Sequence, residues 1–185
     1  MNKIVKAYRI LKNSYGEAIK PKKYAKEIGV NIADSVRITG HIKWGSEPWL
    51  VTVGENTTIA DGVVFTTHDG AVNVVNKEEK YKDVIKFGRI DIGNNCFIGA
   101  GARFMPDVIV GDNSIIGADS LVTKDVPEGE VWAGVPARFI CTTKEYAEKA
   151  LKETPQYDTG NLKRNLREES IKIADMRREM RRRKG

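Results

Sequence analysis

The stretch that decides the fold runs from Ile92 to Pro127, and it reads IGNNCF, IGAGAR, FMPDVI, VGDNSI, IGADSL and VTKDVP when it is divided into sixes. Each six begins with a large apolar residue, and the fifth position of each six is small or β-branched. A helix repeats every 3.6 residues and a strand every two. A sustained period of six therefore indicates a repeat architecture.

A parallel β-helix explains this period, because short straight runs alternate with corners in that architecture. The first residue of each six is expected to point into a narrow core. The Gly, Asp and Asn residues between are expected at the corners, since they tolerate left-handed backbone. Three sixes make one coil, and successive coils stack at the strand spacing of about 4.8 Å. A β-sandwich would show alternation with irregular spacing instead.

The same period begins earlier in the chain and fails in two places. It is present over residues 32–44, is interrupted near Glu47, and resumes over residues 53–65. It is then lost over residues 71–90, a polar segment that is too long for a corner. Insertions in a repeat fold leave it as loops and often line the binding face. We therefore predict an excursion loop at residues 71–90.

The flanking segments read as helices. Apolar residues at helical spacing predict short helices near residues 3–13 and 21–28, which would close the open end of the core. We predict a helical cap over residues 1–31, the repeat domain over residues 32–140, and a helical, basic tail over residues 141–185.

Charge and composition exclude several classes of protein. The formal net charge is +6, and ten of the last 25 residues are Lys or Arg against four acidic residues. Such a run is typical of a solvated helix face, and the lack of interleaved aromatic residues disfavours nucleic-acid binding. No apolar run approaches about 18 residues, and no signal-peptide core is present, so neither a membrane span nor export is expected. Cys96 and Cys141 lack metal-ligand spacing, which favours a reduced, cytoplasmic protein.

The chain contains two histidines, and one of them is the candidate general base. His68 ends a coil immediately before the 71–90 loop, so its side chain is expected to face a groove. Imidazole has an unperturbed pKa suited to proton transfer near neutrality. His41 lies at a different phase of its six and is expected on the solvated wall. The phase of Cys96 predicts a core residue and not a nucleophile.

Beside the sixes, two further segments carry a family resemblance. The first is FTTHDG at residues 65–70, and the second is the pair VTKDVPEG and WAGVPARFI at residues 122–129 and 132–140. Over residues 28–142 the chain resembles the hexapeptide-repeat acyltransferases. It is most similar to sugar O-acetyltransferases of capsule and lipopolysaccharide synthesis, with galactoside, maltose and streptogramin acetyltransferases as relatives. The resemblance implies a left-handed β-helix, a homotrimer with active sites between subunits, and acetyl-CoA as cosubstrate.

The resemblance also implies roles for particular residues. His68 would take the proton from the acceptor hydroxyl, whose oxygen attacks the acetyl-CoA thioester without a covalent enzyme intermediate. Small residues would let the pantetheine arm approach the backbone, and cations suit the CoA phosphates. The implied CoA-binding positions are Ala100, Ala118, Thr123, Lys124 and Arg138.

The acceptor site is expected near the first interruption of the period and at the loop. Aromatic faces and carboxylates suit sugar rings and their hydroxyls, and four residues qualify: Trp44, Glu47, Asp69 and Tyr81. Asp69 has two other interpretations, as the group that orients the His68 ring and as a turn residue before Gly70.

The predicted function is acetyl transfer to a hydroxyl of a sugar or polysaccharide precursor. N-acetylation of an amino sugar nucleotide and acetylation of a streptogramin-like antibiotic remain open. A non-catalytic scaffold is a further alternative, which the presence of His68 disfavours. No metal is predicted, and a γ-class carbonic anhydrase is excluded because two histidines do not supply its three ligands.

Overall fold

The computed structural model describes residues 19–183, and it divides into two compact units. The first unit ends at Thr143 and the second begins at Lys144. The helix predicted near residues 3–13 lies outside the described residues. The helix predicted near residues 21–28 is present as α1 (Pro21–Glu27), with proline in its first turn, where a missing N–H is not needed.

The first unit is built from very short strands. Three short 3₁₀ helices, Pro48–Leu50, Gly70–Val74 and Glu79–Tyr81, interrupt the series of strands. In chain order the strands are β1 (Asn31–Ile32), β2 (Arg37–Ile38), β3 (Val51–Val53), β4 (Thr58–Ile59), β5 (Val64–Phe65), β6 (Ile90–Ile92), β7 (Phe97–Ile98), β8 (Arg103–Phe104), β9 (Val108–Val110), β10 (Ile115–Ile116), β11 (Leu121–Val122), β12 (Glu130–Ala133) and β13 (Arg138–Thr142).

The strands form three parallel sheets, one for each face of a β-helix. The first face is β1-β3-β6-β9, the second contains β2-β4-β7-β10-β12, and the third is β5-β8-β11. In the regular run, Ile98 pairs with Ile116 and Phe104 pairs with Val122. Each pair is eighteen residues apart, so three sixes make one coil as predicted.

The first residue of each six forms the core. Ile59, Ile98 and Ile116 are fully buried on the second face. On the third face, the Phe65 ring stacks on Trp44 and Phe104 with centroid distances of 5.1 and 5.3 Å. The buried column is therefore continuous from one coil to the next.

The corners use the residues that the sequence predicted. Asn95 and Asn113 occupy equivalent corners of successive coils with φ of 53° and 59°, and the Asn95 side-chain amide donates to Oδ1 of Asn113 at 2.8 Å. Asparagine accepts left-handed backbone more readily than most residues. The ladder of amides then links neighbouring coils along the edge.

The last circuit differs from a full coil. β12 adds to the second face in parallel, but β13 returns antiparallel beside it. Gly134, with φ of +100°, lies between the two strands. Since β13 extends to Thr142, residues 141 and 142 belong to this hairpin and not to the predicted tail.

The second unit is helical. It contains most of α2 (Thr143–Glu153), α3 (Thr159–Arg164) and α4 (Leu166–Arg182), in agreement with the helices predicted here. Glu153 of α2 accepts ion pairs from Arg177 and Arg181 of α4. Among the described residues, none of the helices is both long enough and apolar enough to cross a bilayer.

Candidate functional site

His68 lies where the third face ends and the excursion loop leaves the β-helix. Strand β5 ends at Phe65, and the Thr66 N–H still donates to the carbonyl of Phe104 in the next coil. The loop then returns so that His68 forms an antiparallel bridge with Phe87. The Gly88 N–H donates to the Thr67 carbonyl at 2.9 Å. Both backbone segments around the imidazole are thus fixed by hydrogen bonds.

Glu47 supplies the hydrogen-bond partner of the imidazole. Its Oε2 atom lies 2.9 Å from His68 Nδ1, and it also accepts the Thr67 hydroxyl at 2.7 Å. Thr67 is buried, and the Glu47 side chain is 18% exposed against 41% for His68. The predicted interruption of the period near Glu47 therefore brings a carboxylate to the base.

The electrostatics of this contact define the imidazole tautomer. The Thr67 hydroxyl is the main cause that holds the pKa of Glu47 below its ordinary value, and the His68 hydrogen bond adds to it. An ionised carboxylate only accepts hydrogen bonds, so Nδ1 carries the proton that it accepts. In neutral imidazole, Nε2 is then the unprotonated nitrogen. Within residues 19–183 nothing hydrogen-bonds to Nε2.

Asp69 occupies a different environment from the one expected of a ring-orienting group. Its Oδ1 atom accepts the Ala71 N–H at 3.0 Å, and its Oδ2 atom accepts from Lys86 at 3.1 Å. Those two hydrogen bonds lower the pKa of Asp69. Asp69 therefore caps the turn at the start of the loop, and its ion pair with Lys86 connects that turn to the end of the loop. Glu47, and not Asp69, makes the hydrogen bond with His68 Nδ1.

Phe87 is a site residue that the sequence analysis missed. Its ring meets the His68 ring edge to face, with centroids 6.1 Å apart, and it is 51% exposed. The contact arises because the loop folds back on its own starting point. A bridge between residues nineteen positions apart, at the two ends of the excursion loop, leaves no periodic signal in the sequence.

The prediction that Trp44 contacts an acceptor is wrong. Trp44 is only 4% exposed and is stacked against Phe65 in the core. It begins a six, so the period that predicted the core also assigned it there. Tyr81 lies in the loop with the Lys80 ammonium 5.1 Å from its ring centroid, and its acceptor role stays a prediction.

The candidate CoA-binding residues fall at different corners of one protomer. Ala100 and Ala118 are exposed and lie in adjacent coils at the corner between the second and third faces. Thr123 and Lys124 are exposed at the corner between the third and first faces. His68 also lies at the corner between the third and first faces. It is two coils before Thr123 and Lys124, which corresponds to about 10 Å along the axis. Arg138 is exposed on β13.

The remaining reactive side chains do not extend the site. Cys96 is 3% exposed in the core, and burial raises the pKa of its thiol, which agrees with the packing role predicted for it. In the part of the chain that the structure describes, no cluster of His, Cys, Asp and Glu has the makings of a metal site.

Comparison with known proteins identifies the family. The sequence-family model described as bacterial transferase hexapeptide (six repeats) matches residues 89–124. Protein CapG of Staphylococcus aureus is 38% identical over 128 residues, which are 68% of this chain and 73% of CapG. This chain belongs to the hexapeptide-repeat acyltransferase family. It is therefore an enzyme, and the predicted family and enzyme class are confirmed.

Other members of the hexapeptide-repeat family match over shorter or more distant stretches. The galactoside O-acetyltransferase of Escherichia coli is 42% identical over 94 residues, which are 51% of this chain and 45% of that enzyme. The chain thus spans less than half the length of that relative. A solved galactoside acetyltransferase in complex with coenzyme A superposes with a TM-score of 0.53 at 23% identity, covering 82% of this chain and 85% of that one.

The family and its solved members imply the hand of the β-helix. The hexapeptide-repeat fold is a left-handed parallel β-helix, as the sequence resemblance implied. Left-handed crossovers between parallel strands are rare in other folds. The three-faced coil of sixes described above is the architecture that accommodates them.

Proposed function

We propose that this chain is an acetyl-CoA-dependent O-acetyltransferase that acts on a hydroxyl of a sugar or polysaccharide precursor. The observation that carries the proposal is the hydrogen bond between His68 Nδ1 and Glu47 Oε2. It leaves the half-buried imidazole with Nε2 as a proton acceptor where the excursion loop begins. General bases act through such a positioned, unprotonated nitrogen.

In the proposed reaction, His68 Nε2 takes the proton of the acceptor hydroxyl as its oxygen attacks the thioester carbonyl. The C–S bond then breaks, and the imidazolium returns the proton to the CoA thiolate. Glu47 is a positioning residue, because it holds the ring and stabilises the imidazolium that forms. A buried Thr67 hydroxyl keeps the carboxylate in place.

The donor side rests on the relatives and on exposed residues of this chain. A solved galactoside acetyltransferase carries coenzyme A. The exposed cations Lys124 and Arg138 suit the CoA phosphates, and the stacked small residues Ala100 and Ala118 leave room for the thin pantetheine arm. We place the enzyme in the cytoplasm, where acetyl-CoA is available.

The placement of these residues supports the proposal of a homotrimer. Ala100 and Ala118 lie at the opposite corner of the third face from His68, in the next two coils along the axis. A second protomer with its Ala100 corner against the His68 corner would bring donor and base together. The active site would then lie between subunits.

The acceptor is proposed to be a sugar because the named relatives include a galactoside O-acetyltransferase. Glu47, Asp69 and Tyr81 remain proposed acceptor contacts beside their observed interactions. N-acetylation of an amino sugar nucleotide or an antibiotic would use the same base. Product analysis distinguishes these alternatives, because an ester is cleaved by mild alkali and an amide is not.

Isothermal titration calorimetry with acetyl-CoA tests the donor proposal. We expect saturable binding that weakens up to about fivefold for Lys124→Ala and for Arg138→Ala, since one exposed ion pair contributes up to about 1 kcal/mol. Lys149→Ala, in α2, is the matched control and is expected to bind as the wild type does. Absence of binding to the purified protein would refute the proposed donor.

Replacement of Glu47 by glutamine tests the positioning role. We expect kcat to fall by on the order of 10²-fold with little change in KM for acetyl-CoA. The glutamine amide N–H can donate to Nδ1, and the imidazole then carries its proton on Nε2, which can no longer act as the base. Thr67→Val keeps the carboxylate and should lose less activity. Steady-state kinetics with each substrate varied measures both, and an unimpaired Glu47→Gln enzyme would remove Glu47 from the mechanism.

The lowered pKa of Glu47 also predicts how its contribution to stability depends on pH. A carboxyl whose pKa is lower in the folded state than in the unfolded state stabilises the fold above its ordinary pKa, here 4.5. That contribution is lost as pH falls through the folded value. The Tm difference between wild type and Glu47→Gln should therefore be present above about pH 4.5 and shrink as the pH falls below it. A constant difference would contradict this.

A further inference from the structure

Helix α4 carries a row of cations on one face. Arg167, Ile171, Ala174, Arg178 and Arg182 are separated by four, three, four and four residues, and this spacing places them on the same side of an α-helix. All five residues are exposed. We call this face the arginine stripe.

Over the described part of the chain, the carboxylates of α4 form no ion pair with the arginine stripe, and these include Asp175 and Glu179, which lie three residues before Arg178 and Arg182. Glu168 and Glu169, which begin the helix, pair with Lys172 at 3.3 and 2.8 Å on a different face. Within residues 19–183, the three stripe arginines have no carboxylate at ion-pair distance. Guanidinium groups that lack such partners are available to anions from outside the chain.

We propose that the arginine stripe binds the anionic lipid headgroups of a membrane surface. Guanidinium groups pair with phosphate oxygens in forked geometry, and each cation near an anionic leaflet raises partitioning about fivefold. Ile171 is 55% exposed and lies between Arg167 and Arg178. An apolar side chain flanked by cations suits the boundary between headgroups and acyl chains.

Other occupants match this face less well. Proteins that bind single-stranded nucleic acid stack bases on aromatic side chains among their cations, whereas the aromatic residues of this unit, Tyr146 and Tyr157, lie outside α4. A second copy of the helix would bring stripes of like charge together, which is repulsive. An anionic lipid surface satisfies both the charge and the exposed isoleucine.

Co-sedimentation of the 185-residue chain with vesicles tests the proposal. We expect binding to vesicles that contain phosphatidylglycerol and none to pure phosphatidylcholine. Raising the salt from about 0.1 to 1 M should release the protein, because the Debye length falls from about 10 to 3 Å. The triple variant Arg167→Gln, Arg178→Gln, Arg182→Gln should partition on the order of 10²-fold more weakly. Glutamine keeps the helix propensity, and circular dichroism verifies that the helices remain.

A matched control separates the stripe from net charge. Lys144→Gln, Lys149→Gln and Lys152→Gln together remove the same charge from α2 of the same unit, and this variant is expected to bind within a few-fold of the wild type. Equal losses in the two triple variants would overturn the proposal, as would binding to neutral vesicles. Binding to single-stranded RNA without binding to anionic vesicles would assign the stripe to nucleic acid instead. Because vesicle binding does not require acyl transfer, it tests the stripe independently of the proposed enzyme activity.

Discussion

His68→Ala is expected to lower kcat by about 10²- to 10⁴-fold, which is the usual contribution of a general base. The affinity for acetyl-CoA should stay nearly intact, because the imidazole acts on the acceptor hydroxyl. Release of free CoA, followed with a thiol reagent at saturating acceptor, gives kcat. Calorimetry on the same variant gives the donor affinity.

The second histidine provides the control for that experiment. His41 belongs to the first coil, where its carbonyl accepts the Gly62 N–H at the corner between the second and third faces, across the third face from the corner of His68. His41→Ala is expected to keep kcat within about twofold of wild type, since surface substitutions outside a site have small effects. Comparable turnover by the His68→Ala enzyme would rule out His68 as the base.

Phe104→Ala is expected to destabilise the protein by about 3–5 kcal/mol, the usual cost of truncating a buried phenylalanine. The Phe104 ring is fully buried and stacks on Phe65 at a centroid distance of 5.3 Å. Its strand pairs with β5 on one side and β11 on the other. The cavity would therefore open in the middle of the coil stack, where neighbouring coils are held in register and do not collapse easily.

Chemical denaturation of the variant measures this loss. Phe97→Ala is the matched control, because Phe97 lies in the same coil but points outward and is 47% exposed. We expect its free energy of unfolding to change by less than about 1 kcal/mol. Equal losses for the two phenylalanines would contradict the assignment of inward and outward positions within each six.

The period of six was enough to predict the faces, the core and the corners. Ile98 and Ile116 stack because both begin a six, and Asn95 and Asn113 turn because both follow the same glycine position. These features repeat, so each coil reinforces the interpretation of the next. Trp44 also begins a six, so the period predicts that it is buried. An acceptor contact for Trp44 conflicted with that prediction.

The site could be predicted only in part, because it is built where the period fails. The position of His68 before an insertion identified it as the candidate base. The sequence suggested only Asp69 as the group that orients its imidazole, whereas Glu47 makes that contact, because the path of the chain around each interruption depends on tertiary contacts. Phe87 was missed for the same reason. The reversal of β13 is likewise set by the Gly134 turn and not by a repeat.

The central claim is acetyl transfer from acetyl-CoA to a sugar hydroxyl with His68 as the base. Its most direct test is to incubate the enzyme with acetyl-CoA and a panel of sugars and nucleotide sugars, and to analyse the products by mass spectrometry. We predict an alkali-labile acetyl ester, formed with one equivalent of free CoA and lost in His68→Ala. An alkali-stable acetamide, or unchanged ester formation in the His68→Ala enzyme, would contradict the account.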